Sequence, residues 1–196
     1  MESALRLVKL LVLINFLFLT IHFHVGNTIQ AGYSLKIKKY VCIDAPYKET
    51  TLHYCKNLPR RNAPTMVNVS LHVPKLYNFV LAKVKMFYKF STYQPFVISL
   101  EVEGCKIIAN PPTGEMEKFI YSILNETVPE LLLPCPAGNR TYNIVWYLRE
   151  KHTLQNSPPG DYKIQFKITS RNAILFAIEI YCEVRNTGFI DVFVKH

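Results

Sequence analysis

The cysteines and the glycosylation sequons are the residues of this chain whose chemistry follows most directly from type and spacing. The 196-residue sequence contains five cysteines, Cys42, Cys55, Cys105, Cys135 and Cys182. Cysteines pair in an oxidising compartment, so an odd number leaves one thiol over. Three Asn-x-Ser/Thr sequons begin at Asn68, Asn125 and Asn139. In a secreted protein these sequons predict glycosylation at surface positions.

The ionisable side chains do not form the sequence signature of a catalytic site. Four histidines follow residue 31, at His53, His72, His152 and His196. The sequence has no nucleophile elbow, HExxH motif, phosphate loop or dinucleotide fingerprint, and no Cys/His spacing that suits zinc. His53 near Cys55 is the nearest approach to a reactive pair, and we interpret it as a polar residue beside a structural disulfide. We therefore expect no enzyme activity, no cofactor and no metal site.

The first 31 residues have the composition of a secretory signal peptide. Arg6 and Lys9 form a basic start, and residues 10–23 are then almost entirely apolar. This apolar run is shorter than the roughly 20 residues that a spanning helix needs, although a signal anchor is the alternative. We expect cleavage near Ala31, which leaves residues 32–196 as a single secreted, extracellular domain.

The net charge of the chain is positive, at +9. Without Arg6, Lys9 and Glu2 of the predicted signal peptide it is +8. The lysines alternate with apolar residues, and no basic cluster is interleaved with aromatic side chains, so we expect no nucleic-acid partner. The charge predicts a solvated face, with attraction to an anionic lipid surface as the alternative.

Hydrophobic residues recur mainly with a period of two, which is typical of half-buried antiparallel strands. The clearest alternation covers residues 66–73, 80–88, 95–105, 161–169 and 173–184. Shorter strands are expected around Cys42 and Cys55, and an edge strand at residues 188–194. Short strands at this spacing predict an all-β domain with the architecture of a sandwich or barrel.

One segment between Cys105 and Cys135 breaks this pattern. Met116, Phe119, Ile120, Ile123 and Leu124 follow the spacing of an amphipathic helix. We therefore predict one short inserted helix over residues 115–124, with Thr113 as its N-cap.

Two apolar stretches fall where the sequence otherwise indicates loops. The stretch VPELLLPCP (128–136) places three leucines between prolines, and Val145 to Leu148 is also apolar. Prolines at both ends argue against a helix or a central strand. Apolar side chains at such positions either close the end of a core or line the mouth of a ligand cavity.

Several short motifs, in this order, resemble a known protein family. They are Cys42 followed by Cys55, YQPF at 93–96, EGCKII at 103–108, CP at 135–136 and PPGDY at 158–162. The order is similar to that of a family of small secreted proteins of unknown function, expanded in insects. That family is related to the ML, or MD-two-related, lipid-recognition superfamily, which includes sterol-transfer, ganglioside-activator and contact-chemosensory proteins. The resemblance covers residues 33–184.

The resemblance implies an immunoglobulin-like sandwich of two antiparallel β-sheets, with an apolar ligand held between them. The segment from Cys105 to Cys135 would lie at the mouth, with the leucines either acting as a lid or packing on Phe119 and Ile123. Glu103 stands where the family usually has Asp. The disulfides implied first are Cys42–Cys55 and Cys105–Cys135 with Cys182 as a buried free thiol, and the second choice is Cys42–Cys182 with Cys55 unpaired.

The function implied is that of a secreted carrier or recognition protein for a lipid, fatty acid, sterol or hydrocarbon, with a role in chemosensation. A membrane receptor or a lipid surface would be its further partner. The residues that we expect to line the ligand cavity are Val84, Met86, Phe96, Ile98, Phe119, Ile123, Leu132, Phe166 and Phe176. The alternative function is a secreted protein-interaction module with a solid core and no lipid ligand.

Overall fold

The two-residue alternation of the sequence corresponds to long β-strands in the structure. The computed structural model describes residues 32–153 and 157–187, so the predicted signal peptide and the predicted edge strand at 188–194 lie outside the described residues. Within those ranges the strands are β1 (Gly32–Cys42), β2 (Thr51–Arg60), β3 (Ala63–Tyr77), β4 (Leu81–Lys89), β5 (Tyr93–Glu103), β6 (Ala137–Trp146), β7 (Gly160–Ser170) and β8 (Ala173–Thr187). The α-helices are α1 (Gly104–Ala109) and α2 (Glu115–Thr127).

The strands form two sheets. One has the strand order β1-β8-β7-β4-β5 and the other the order β2-β3-β6. The pairs β2–β3, β3–β6, β4–β5, β4–β7 and β7–β8 are antiparallel. The predicted fold class, an all-β immunoglobulin-like sandwich of two antiparallel sheets, is confirmed.

The core lies between the inward faces of the two sheets. On β3, Val67 and Val69 are buried, and on β4 Val84 and Met86 are buried. Lys85, between the two β4 positions, is exposed. Each such apolar side chain contributes roughly 1.5–3 kcal/mol when it is removed from water, so the alternation fixes which face of β3 and of β4 is inward.

One side of the sandwich is closed by direct links between the edge strands β1 and β2. Cys42 and Cys55 form a disulfide across this side. The Asn57 side-chain amide accepts the Tyr40 N–H at 2.7 Å and donates to the Tyr40 carbonyl at 2.8 Å. The side chain of Asn57 thereby satisfies the backbone of β1 in the way that a neighbouring strand would.

The opposite side, between the edge strands β5 and β6, is occupied by the segment that connects them. It contains α1, α2 and a 3-10 turn at Pro129–Leu131, and the Cys105–Cys135 disulfide joins the start of α1 to the residues before β6. The prediction of one helix is therefore wrong in number. Helix α1 was missed because six residues are too few to establish a helical period, although Glu103 caps it by accepting the N–H groups of Cys105 and Lys106.

Two further details of the connecting segments differ from the sequence-based expectation. Helix α2 begins after Gly114, not after Thr113, and it has no side-chain cap. Val145 and Trp146, which were expected in a loop, lie in β6. The strand alternates as the others do, because Val145 is 51% exposed whereas Tyr142, Ile144 and Trp146 face the interior.

Candidate functional site

The space between the two sheets is not completely filled by side chains. A cavity of about 300 Å³ lies there, at the lower end of the ~300–1,000 Å³ that is usual for small-molecule sites. One wall consists of β3 and β6, and the facing wall consists of β4, β5, β7 and β8. The third wall consists of α1, α2 and the 3-10 turn, which contribute Ile107, Ile108, Phe119, Ile120, Ile123, Leu124, Leu131 and Leu132.

Eight of the nine residues expected at a ligand cavity lie on its wall. They are Val84, Met86, Ile98, Phe119, Ile123, Leu132, Phe166 and Phe176. That these side chains contact a ligand stays a prediction. The ninth, Phe96, is not on the wall, and its ring centroid lies 5.5 Å from that of Tyr88 and 6.0 Å from that of Tyr162.

The position of Phe96 follows from an irregularity in β5. Phe87 pairs with Pro95 and Lys85 pairs with Ser99, so β5 carries two more residues than β4 over this stretch. Within the bulge Val97 has a φ of 51°. A bulge changes the direction of side chains and bends the strand. Here it leaves Phe96 beside Tyr88 and Tyr162, near the N-terminal end of β5.

The cavity lining includes residues beyond the nine that were expected there. Strand β6 contributes Tyr142, Ile144 and Trp146, and helix α1 contributes Ile107 and Ile108. The alternation of the three β6 residues is a signal that could have identified this strand. Nothing comparable was available for α1, because its apolar pair also fits a strand.

The leucine triplet lies at the junction of α2 and β6. Leu131 and Leu132 line the cavity, whereas Leu133 is 44% exposed. The backbone N–H groups of Leu131 and Leu132 donate to the carbonyls of Val128 and Pro129, both at 2.9 Å. The 3-10 turn satisfies the backbone and holds two apolar side chains against the cavity, which is why apolar residues are favoured here.

The C-terminal end of α2 is held by polar contacts to the strand that it packs against and to the chain beyond it. The indole N–H of Trp146 donates to the Thr127 hydroxyl at 2.8 Å. The Glu126 carboxylate contacts Arg149 at 2.7 Å, Lys151 at 2.8 Å and the Nε2 of His152 at 3.2 Å. The hydrogen bonds from Lys151 and His152 hold the pKa of Glu126 below its usual range.

Two polar groups of the cavity wall have unusual surroundings. The Tyr77 hydroxyl oxygen is buried without a hydrogen-bond partner among the described residues. Burial raises the pKa of Tyr77, and the nearby Glu49 carboxylate raises it further. The free thiol of Cys182 is also buried, which raises its pKa to about 12. A thiol with so high a pKa is protonated at neutral pH and unreactive.

The cysteines have the arrangement that the family resemblance implied first. Disulfides join Cys42 to Cys55 and Cys105 to Cys135, and Cys182 is unpaired. Cys182 is on the inward face of β8, opposite Tyr162, well inside the sheet that contains β7.

The sequon asparagines differ in exposure. Asn125 on α2 and Asn139 on β6 are exposed, whereas Asn68 on β3 is half-buried. Use of these sequons stays a prediction.

The ionisable groups outside the cavity do not converge on a reaction centre in the part of the chain that the structure describes. The rings of His53 and His72 lie 6.3 Å apart, and Cys55 is in a disulfide. Within residues 32–153 and 157–187 no group of three or more His, Cys, Asp or Glu side chains could hold a metal ion. The same residues include no helix with the length and apolarity needed to cross a membrane.

Comparisons with known proteins agree with the motif-based resemblance. Residues 82–164 match the family model described as a protein of unknown function, DUF1091. No curated protein matches the chain. Among the 15 solved chains that match is the crystal structure of chicken MD-1 complexed with lipid IVa. That match has a TM-score of 0.36 and 13% identity, and covers 80% of this chain and 99% of the MD-1 chain. The family model therefore confirms, over residues 82–164, the resemblance to a family of unknown function.

Proposed function

We propose that this chain is a secreted carrier or recognition protein that holds a small apolar ligand between its two sheets. The observation that carries the proposal is the cavity of about 300 Å³, whose lining is formed mainly by Val, Leu, Ile and aromatic side chains. Burying an alkyl chain there would contribute about 0.8 kcal/mol per methylene, so shape and length would determine affinity. A lipid, fatty acid, sterol or hydrocarbon fits these requirements.

The movable part of the site would be the β5–β6 connection. The β1–β2 side is closed by the Cys42–Cys55 disulfide and by the Asn57 amide. On the other side, α2 and the leucine turn cover the gap through apolar contacts and a few polar bonds near Thr127. A ligand would therefore enter beside α2, with the Cys105–Cys135 disulfide limiting how far this wall can move.

Secretion is part of the same proposal. It is supported by the basic and apolar composition of residues 1–31 and by two disulfides, which persist in oxidising compartments. A chemosensory role and a membrane receptor or lipid surface as a further partner are consistent with a secreted carrier.

A cavity-filling variant tests the proposal. Ala82 is half-buried and lines the cavity, so Ala82→Phe places a ring in the space that the ligand would occupy. We expect lipid co-purified from the secreting cells to be lost from this variant, while overpacking lowers stability by no more than about 1–3 kcal/mol. The matched control is Lys85→Phe, on the exposed face of the same strand. Equal lipid content in both variants would contradict the proposal.

The alternative, a protein-interaction module, is favoured by one exposed apolar site. Phe90, in the turn between β4 and β5, is 64% exposed, and Val97, in the bulge of β5, is 70% exposed. Large apolar side chains in such positions are common where proteins bind one another. Loss of partner binding in Phe90→Ser, together with no lipid in the wild type, would favour this alternative over the carrier.

A further inference from the structure

Among the described residues that line the cavity, Tyr77 has a buried hydroxyl that the fold leaves unsatisfied. Tyr77 is the last residue of β3 and lines the cavity, and its ring packs against the core. Among the described residues, its hydroxyl oxygen is the one buried side-chain polar atom with no hydrogen-bond partner. Most buried hydroxyls in proteins have a partner, so an exception in a cavity wall indicates a group that something else can satisfy.

Other buried tyrosines of this chain have their hydroxyls paired. Tyr162 donates to the Pro158 carbonyl at 2.6 Å, and Tyr47 donates to the Ile43 carbonyl at 2.9 Å. The Tyr40 hydroxyl accepts the Leu148 N–H at 3.3 Å. The fold thus satisfies the hydroxyls of three buried tyrosines with its own backbone, whereas the hydroxyl of Tyr77, which lines the cavity, has no such partner among the described residues.

The charges around the cavity limit what could pair with this hydroxyl. None of the described residues that line the cavity is Lys or Arg, and Glu117 contributes a carboxylate. The ring nitrogens of His152, which also lines the cavity, are already used, since Nδ1 accepts the Arg149 N–H and Nε2 contacts Glu126. Lys75 is the cation whose charge reaches the Tyr77 hydroxyl, and it is already paired with the Glu49 carboxylate. A ligand carboxylate buried here would therefore have no free positive partner on the cavity wall, which is strongly unfavourable.

We propose that the cavity binds an apolar molecule with one neutral oxygen group, such as a long-chain alcohol or a sterol, whose oxygen forms a hydrogen bond with the Tyr77 hydroxyl. A phenolic hydroxyl can both donate and accept, so it suits a hydroxyl in particular. The inference rests on the proposed function and narrows its ligand class, because it disfavours ionised fatty acids and gives alkanes no polar contact.

The experiment measures uptake of three ligands of equal chain length: hexadecane, 1-hexadecanol and hexadecanoate. Each is offered to the full secreted chain from neutral phosphatidylcholine vesicles at pH 8, where the acid is ionised, and bound ligand is extracted and quantified by mass spectrometry. In Tyr77→Phe we expect uptake of the alcohol to fall by about threefold to tenfold, because one neutral hydrogen bond is lost. Uptake of the alkane, which cannot form this bond, should be unchanged. Unchanged alkane uptake also demonstrates that the variant is folded.

The matched control is Tyr54→Phe, which removes a hydroxyl from β2 outside the cavity lining and should leave all three uptakes unchanged. Equal alcohol uptake by wild type and Tyr77→Phe would overturn the inference while leaving the proposed function intact. Preferential uptake of the carboxylate by the wild type would overturn it in the same way. If the wild type takes up none of the three, the proposed function fails and the inference fails with it.

Discussion

The indole N–H of Trp146 donates to the hydroxyl of Thr127 across 2.8 Å, and that hydroxyl donates in turn to the Ile123 carbonyl at 2.6 Å. The pair joins the inner face of edge strand β6 to the last turn of α2. Because Ile123 and Trp146 both line the cavity, this bond determines where the helical wall of the site stands.

Removing the Thr127 hydroxyl should destabilise the protein measurably. In Thr127→Val the indole N–H, which can only donate, loses its partner in a partly buried place. We expect the free energy of unfolding to fall by about 1–2 kcal/mol in chemical denaturation. Since this change also deletes the sequon at Asn125, Asn125→Gln is the control and should unfold like the wild type. Identical stability in the two variants would contradict the importance of the bond.

The ion cluster at Glu126 should make the end of α2 sensitive to acid. Arg149, Lys151 and His152 surround this carboxylate, and the hydrogen bonds from Lys151 and His152 hold its pKa below the usual range. A lowered folded-state pKa stabilises the fold above the ordinary pKa of Glu, and the contribution is lost as the pH falls through the lowered value. After correction for the intrinsic exchange rate, the protection of α2 against hydrogen–deuterium exchange should therefore decrease on acidification.

The variant Glu126→Gln isolates this contribution. At pH 7 we expect faster exchange in the last turn of α2 in Glu126→Gln than in the wild type. After correction for the intrinsic exchange rate, the difference should vanish at low pH, where the wild-type carboxyl is protonated. Glu150→Gln is the control, since that side chain is exposed and nearby. A difference that persists at low pH would show that the cluster acts through something other than charge.

The two disulfides should affect ligand binding differently although they stabilise the fold similarly. Their sequence separations are 30 for Cys105–Cys135 and 13 for Cys42–Cys55. In the chain-entropy model, loops of these lengths correspond to roughly 3–4 kcal/mol and roughly 3 kcal/mol. Only the Cys105–Cys135 disulfide borders the helical wall. The double variant Cys105→Ala/Cys135→Ala should therefore release bound ligand faster than the double variant Cys42→Ala/Cys55→Ala. Equal release rates from the two double variants would contradict the assignment of α2 as the movable wall.

The buried thiol of Cys182 should be inert in the native protein. Burial raises its pKa to about 12, so the reactive thiolate is scarce at pH 8. We expect no labelling by iodoacetamide until denaturant unfolds the chain, followed by modification of one site. Rapid labelling of the native protein would indicate that the cavity opens to water far more often than the packing of β8 implies.

Much of the fold could be predicted from the sequence because its strongest signal is periodic. Alternation identified β3, β4, β5, β7 and β8, and the helical spacing of Phe119 and Ile123 identified α2. Both patterns arise from burial of one face, which is a property of consecutive residues. Eight of the nine residues expected at a ligand cavity line the space between the sheets for the same reason, since they occupy inward-facing positions of these elements. That they contact a ligand stays a prediction.

Two of the missed features, the position of Phe96 and the unsatisfied hydroxyl of Tyr77, depend on relationships that no short window of sequence contains. Phe96 has the correct alternation, but the bulge at Val97 changes where it packs, and the bulge is defined only by pairing with β4. Strand β6, in contrast, carried a signal in the alternation of Tyr142, Ile144 and Trp146, which the continuous apolar run at residues 144–148 obscured. The unsatisfied hydroxyl of Tyr77 is invisible in sequence, because it depends on which neighbours are absent.

Native mass spectrometry of the chain secreted from insect cells, followed by organic extraction, tests the central claim most directly. If the cavity between the sheets holds an apolar ligand, the spectrum should contain a mass above that of the glycosylated chain, and the extra mass should extract as lipid. A bare protein mass, together with no change in melting temperature across a panel of alkanes, alcohols, fatty acids and sterols, would contradict the carrier function.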